Sequence, residues 1–116
     1  CVRAEDRQGQ PLREALARLP TPEGKRFATL LSHGTLSVEI YAPVDRDPQT
    51  PHTRDEAYVV ISGSGVFVSD RGREAFSPGD FLFAQAGVEH RFEDFSKGFA
   101  TWVLFYGPEG GDQHRE

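Results

Sequence analysis

Residues 48–65 read PQTPHTRDEAYVVISGSG: a proline-interrupted loop, a short polar step, an apolar run and a glycine pair. The valines, isoleucine and tyrosine between Glu56 and Ser62 favour a pleated strand, and Gly63-Ser64-Gly65 ends it with residues that accept turn dihedrals. His52 stands four residues before Glu56. On an extended chain that separation is about 13 Å, too far for both side chains to reach one ion. A bend at Thr53-Arg54-Asp55 is therefore required, and with it the imidazole and the carboxylate converge. Nitrogen and oxygen donors of this kind suit Fe(II), Mn(II), Zn(II), Ni(II) or Cu(II). Tyr58 and Val60 share the face of Glu56 by strand alternation.

On either side of this stretch the chain continues as short β-rich runs. They are Arg26–Leu31, Thr35–Tyr41, Glu56–Ser62, Val66–Val68, Arg73–Phe76, Phe81–Ala84, Glu89–Phe92 and Phe99–Tyr106, with Gly, Pro, Asp and Ser between them. Eight short strands in a flat sheet would leave exposed edges, so the expectation is an all-β domain closed into a small barrel or double-sheet jelly roll. Before it, residues 1–26 are polar. Leu12, Ala15, Leu16 and Leu19 recur at helical spacing after Pro11, which predicts one short helix strapped over an open end. The barrel domain is expected over 27–107 and a disordered tail over 108–116. Trp102, Leu104 and Tyr106 alternate with Val103 and Phe105, so the last strand is apolar on both faces. One face can line the barrel while the other meets the helix or a second subunit, and a homodimer is expected.

Composition narrows the function. With 116 residues the chain holds one core. Thirteen Lys and Arg against eighteen Asp and Glu give a net charge of -5, which argues against nucleic acid or an anionic membrane as partner. No apolar run approaches the roughly 18 residues of a membrane span. The single cysteine, Cys1, excludes an intrachain disulfide and a cysteine-built zinc cluster, so a metal here must use histidine and carboxylate. A leading cysteine also fits a lipid-anchored terminus; the cytoplasm is the expected location.

The second informative stretch is GDFLFAQAGVEHRFED, residues 79–94. His90 follows a predicted turn and alternates with Phe92, which suggests an inward imidazole. His33, in a predicted hairpin turn, and His114, in the tail, read as exposed polar residues. Residue types alone favour a hydrogen-bonded core histidine at 90 and an exposed carboxylate at 56 over a metal pair.

The order and spacing of these residues resemble the cupin superfamily, whose motifs are G-x5-H-x-H-x3,4-E-x6-G and G-x5-P-x-G-x2-H-x3-N. His52 takes the second histidine, three residues lead to Glu56 and six more to Gly63. Gly79 opens the second motif, Gly87 takes its later glycine, and His90 follows after Val88 and Glu89. Val44, Thr50, Gln85 and Asp94 depart from the pattern, and Thr50 replaces one of four usual ligands. The resemblance spans about Thr35 to Tyr106. It implies a double-stranded β-helix barrel with an interior site in which His52, Glu56 and His90 hold one divalent ion. It also implies a left-handed backbone at Gly63.

Two functions from different classes follow. The first is a metal-binding cupin acting on a small organic molecule inside the barrel, as a dioxygenase or isomerase. The second is a non-catalytic domain that binds or senses such a molecule without a functional metal. Tyr58 and Glu39 are the acid–base candidates; Glu39 shares a face with Tyr41, and its exposure to solvent is the plainer reading. A metal-free isomerase working through Tyr58, Glu39 or His90 is a third option. Arg54 is placed to hold a substrate carboxylate, whereas strand parity turns Arg91 away from His90 to the surface.

Overall fold

The computed structural model of the protein describes residues 9–48 and 51–112. One short helix, α1 (Leu12–Leu16), precedes eight strands: β1 (Phe27–His33), β2 (Leu36–Tyr41), β3 (Asp55–Ser62), β4 (Gly65–Ser69), β5 (Gly72–Phe76), β6 (Phe81–Ala84), β7 (Arg91–Glu93) and β8 (Ala100–Tyr106). Each of the eight runs read from the sequence is a strand, with bounds moved by no more than two residues. His33 closes β1 as an exposed strand residue, and the turn is Gly34-Thr35. β7 opens at Arg91, so His90 sits in the loop just before it.

The strands form two antiparallel sheets, β1-β2-β8-β3-β6 and β5-β4-β7. This corrects the expected closed barrel: no hydrogen-bonded ladder joins the sheets among the described residues. The segment between β2 and β3 carries Pro43, Pro48 and Pro51, which have no N–H to donate to a ladder. β7, only three residues long, pairs with β4 alone among the described residues. Among the described residues, side-chain packing rather than a strand ladder joins the layers.

That joint is aromatic. Tyr58, Val60, Leu82, Ala84 and Val103 of the larger sheet meet Phe67, Phe76 and Phe92 of the smaller one, together with Phe99. The Phe92 ring lies 4.8 Å from Phe99, 5.0 Å from Tyr58, 5.3 Å from Phe67 and 5.5 Å from Phe76. On the opposite face of the larger sheet, Ala28, Leu30 and Ile40 bury against Ala15 of α1, with Leu16, Leu19 and Trp102 packed at the margin. β8 thus divides as its alternation predicted, with Val103 toward the second sheet and Trp102 toward the helix. Phe27, Phe81 and Phe83 stay exposed.

Two segments depart from plain loops. Residues 108–112, read as part of a disordered tail, fold back: Gly110 N–H donates to the Thr53 carbonyl at 2.6 Å and Asp112 N–H to Asp55 Oδ2 at 2.9 Å. Asp47, in the segment after β2, accepts from the Tyr41 hydroxyl and, at 2.8 Å, from the Phe92 N–H. Cys1, Thr50 and His114 lie outside the described residues.

Candidate metal centre

Thr53 and Arg54 form the bend that the spacing of His52 and Glu56 requires. The His52 carbonyl accepts the Gly87 N–H at 2.8 Å, so the loop that carries the first histidine rests on the turn that carries the second. Gly87 takes φ 80°, a left-handed conformation that glycine adopts without a Cβ clash. Val88 follows in that turn, and its carbonyl lies 2.8 Å from His90 Nδ1. A carbonyl only accepts, so Nδ1 carries a hydrogen, and in the neutral imidazole Nε2 presents its lone pair.

That lone pair faces Glu56. His90 Nε2 is 2.6 Å and His52 Nε2 3.6 Å from Glu56 Oε1. One ligand atom from each of the three residues lies within 4.8 Å of the others. The side chains of Glu56 and His90 are 2% and 1% exposed, that of His52 32%, which leaves the cluster one open side. Around it stand Phe105, 5.1 Å from the His52 ring in edge contact, and Tyr58, 6.2 Å from the His90 ring.

Glu56 Oε1 and His90 Nε2 are both buried, and despite their proximity neither has a hydrogen bond of acceptable geometry. A buried carboxylate oxygen without a donor is expensive, and native proteins seldom leave one so. Two donor atoms this close, each with a lone pair free, fit a divalent cation seated between them and His52. The N2O donor set matches borderline and harder transition ions. The residues present therefore fit the group. Burial disfavours the His90 imidazolium, but Glu56, the Val88 carbonyl and Asp47 outweigh it, and the net shift of His90 is upward.

The open side leads into a cavity of about 680 Å³. His52, Glu56 and Tyr58 form part of its wall, with Val103 and Phe105 beside them on β8 and Glu39 and Tyr41 beyond these on β2 of the same sheet. Glu39 therefore faces the cavity rather than solvent alone, and accepts from Thr29 Oγ1 at 3.2 Å. Desolvation raises its pKa; the Thr29 bond opposes this and the charge of Glu56 adds to it. Tyr41 is raised too, chiefly by burial and by its bond to Asp47. Arg54 donates to the Thr35 carbonyl and lies 6.0 Å from the Phe105 ring centre, so its fork is already engaged. Arg91 pairs with Glu93 on the surface, as strand parity required.

Two residues that sequence reading passed over build this site. Asp55, 3% exposed, accepts from Ala86 N–H and Asp112 N–H, both at 2.9 Å, and so ties the strand of Glu56 to the turn before His90. Asp47 ties the cavity wall to β7. In TRDEA an aspartate reads as a turn residue; only its neighbour Glu56 hinted that this position is buried.

A His/Glu/His cluster between two antiparallel sheets defines a β-sandwich protein with a set of side chains that could hold a metal ion at one end of its core. Residues 37–106 match the cupin domain, and the chain belongs to that family. An uncharacterized protein of Streptomyces coelicolor is 31% identical over 85 residues, 72% of this chain and 81% of its own. The crystal structure of a Cupin 2 conserved barrel domain protein from Salinispora arenicola is similar with a TM-score of 0.65 at 19% identity, covering 87% of this chain and 89% of that one. That of the DMSP lyase DddQ from Ruegeria pomeroyi gives 0.62 at 19%, covering 85% and 55%. At such identities the two structures share the fold.

Proposed function

We propose that the protein holds one divalent metal ion with His52, Glu56 and His90 and rearranges a small organic molecule bound in the adjoining cavity. The observation that carries this reading is the buried pair Glu56 Oε1 and His90 Nε2, 2.6 Å apart and neither hydrogen-bonded. When bound, the metal supplies Lewis-acid polarisation of a substrate oxygen. The chain's own part is to place a proton acceptor in the same cavity. Glu39 meets that need: it faces the cavity, and its raised pKa brings it nearer the range in which a general base works at neutral pH. Tyr58, buried beside Glu56 and His90, supplies the phenol that orients the substrate or returns the proton. Apolar Val103 and Phe105 limit water around the reacting atoms. This set favours proton transfer, hence isomerisation or elimination, over oxidation.

The test is metal analysis of protein purified without added ions, repeated on His52→Ala and His90→Ala. Stoichiometric metal in the parent and its loss from both variants is the expected result. Equal metal in all three removes the proposal. A parent that carries no metal, takes up none from Zn(II), Mn(II) or Fe(II), and is stabilised by an organic ligand in the presence of chelator would instead make the cup a non-catalytic binding site.

A further inference from the structure

The chain carries a net charge of -5, yet the cavity beside the His/Glu/His cluster has Lys25, Arg26 and Arg46 in its wall. Their engagement within the fold is slight. Arg26 Nε donates to the Ala42 carbonyl at 2.7 Å, which holds the guanidinium in place and leaves its Nη atoms without a hydrogen bond among the described residues. Lys25 Nζ lies 5.5 Å over the Phe27 ring, and Arg46 has no side-chain ion pair among the described residues. The cavity carboxylates are occupied otherwise: Glu56 by the two histidines, and Glu39 by Thr29 Oγ1. Elsewhere Arg73 and Arg91 are paired with Glu93. Lys25, Arg26 and Arg46 outnumber the carboxylates Glu39 and Glu56 in this wall, a local excess of positive charge in an otherwise acidic protein, and field focusing in a cleft attracts the opposite charge. The remaining wall is apolar or aromatic, with Tyr41, Pro43, Val103 and Phe105.

We propose that the cup selects small organic acids, the carboxylate held at the mouth by Arg46, Lys25 and the free face of Arg26, and an apolar body reaching toward His52 and Glu56. The inference rests on the cavity being the working cup of the proposed function, and it names the substrate class. A planar guanidinium fork binds a carboxylate bidentately, which gives orientation as well as attraction. Anchoring the acid at the mouth leaves the far end of the molecule beside the cluster.

The experiment is calorimetric titration of the whole protein, loaded with Zn(II), with 3-phenylpropanoate, benzoate and hexanoate, each paired with its neutral amide. The acids bind about tenfold more tightly than their amides, since a charge-assisted bond at a partly exposed site is worth that much. Arg46→Gln with Lys25→Gln, both exposed positions, removes the preference, and raising the salt weakens acid binding in the parent only. Arg71→Gln, in the turn between β4 and β5, leaves it intact. Equal affinity for acid and amide, or no binding by any of the three acids, overturns the proposal. Zn(II) affinity is measured on the same samples: the double variant keeps it, so loss of metal binding in the parent marks failure of the metal centre rather than of acid selection.

Discussion

The main-chain carbonyl of His52 receives the N–H of Gly87 at 2.8 Å, a single bond between loops 35 residues apart in sequence. It brings the two halves of the cluster to one place before any side chain acts. Backbone bonds of this kind are insensitive to which ion is present, so the histidines are preset rather than gathered by metal. Preset ligands lose little entropy on binding.

Asp55 reinforces the same junction through its side chain. Replacing it with alanine leaves the Ala86 and Asp112 amides without their acceptor, and partly buried donors so orphaned cost about 1–3 kcal/mol each. The expected loss for Asp55→Ala is about 3 kcal/mol in urea denaturation, with Asp55→Asn retaining part through its one carbonyl oxygen. Metal affinity should fall with it, because the turn before His90 loosens. An alanine variant as stable as the parent would show that the clamp contributes nothing.

Gly63 and Gly79 separate backbone conformation from crowding. Both have left-handed φ, 84° and 91°. A Cβ at Gly63 would lie 2.7 Å from Phe99 Cα, whereas one at Gly79 meets nothing within 4 Å. Gly79→Ala is expected to cost about 1–2 kcal/mol, the left-handed penalty alone. Gly63→Ala adds overpacking of about 1–3 kcal/mol, since backbone rather than a flexible side chain must move. Equal melting temperatures for the two variants would contradict this.

The eight strands were legible in the sequence because alternation is a local pattern, whereas the left-handed turn at Gly63 and the three cluster residues were legible only through the resemblance to the cupin motifs. Barrel closure was not. It depends on whether the chain from Ala42 to Arg54 can pair, and three prolines there deny it. The fold-back of residues 108–112 was also missed: PEGGD has the composition of a loose tail, but a hydrogen bond to Asp55 spans 57 positions and leaves no periodic trace. The inward turn of Glu39 was open in the sequence because strand parity gives two faces without saying which meets the cavity.

His90 gives a pH dependence whose sign reverses with metal. In the metal-free protein its pKa is raised above the ordinary 6.5, by Glu56 and the Val88 carbonyl against the effect of burial. A raised histidine stabilises the fold fully below its unfolded value, and that contribution is lost as pH rises through the folded one. Metal-free protein should therefore lose part of its stability as pH climbs above 6.5. The cation needs the neutral imidazole, so Zn(II) affinity should instead grow across the same interval. Urea melts of chelated and Zn(II)-loaded samples at several pH values check both slopes; parallel curves would mean that His90 does not bind the ion.

Phe92 links stability to the site. Its ring packs on Phe67 and Phe76 of its own sheet, on Tyr58 across the gap between the sheets and on Phe99 just before β8, and no ladder bridges that gap among the described residues. It also lies two residues after His90, and its N–H is held by Asp47 at 2.8 Å. Truncation to alanine opens a cavity at the joint, with an expected loss of about 3–5 kcal/mol. Phe92→Leu keeps most of the volume and should cost about 1–2 kcal/mol while the protein stays folded. Because β7 then rests less firmly on β4, His90 should also wander from Glu56, and Zn(II) affinity in Phe92→Leu should drop more than in Leu30→Val, a change of similar size in the helix-side core. Matching affinities in the two variants would mean that the cluster is held by its loops alone, through His52, Gly87 and Asp55, and that the aromatic joint serves only the fold.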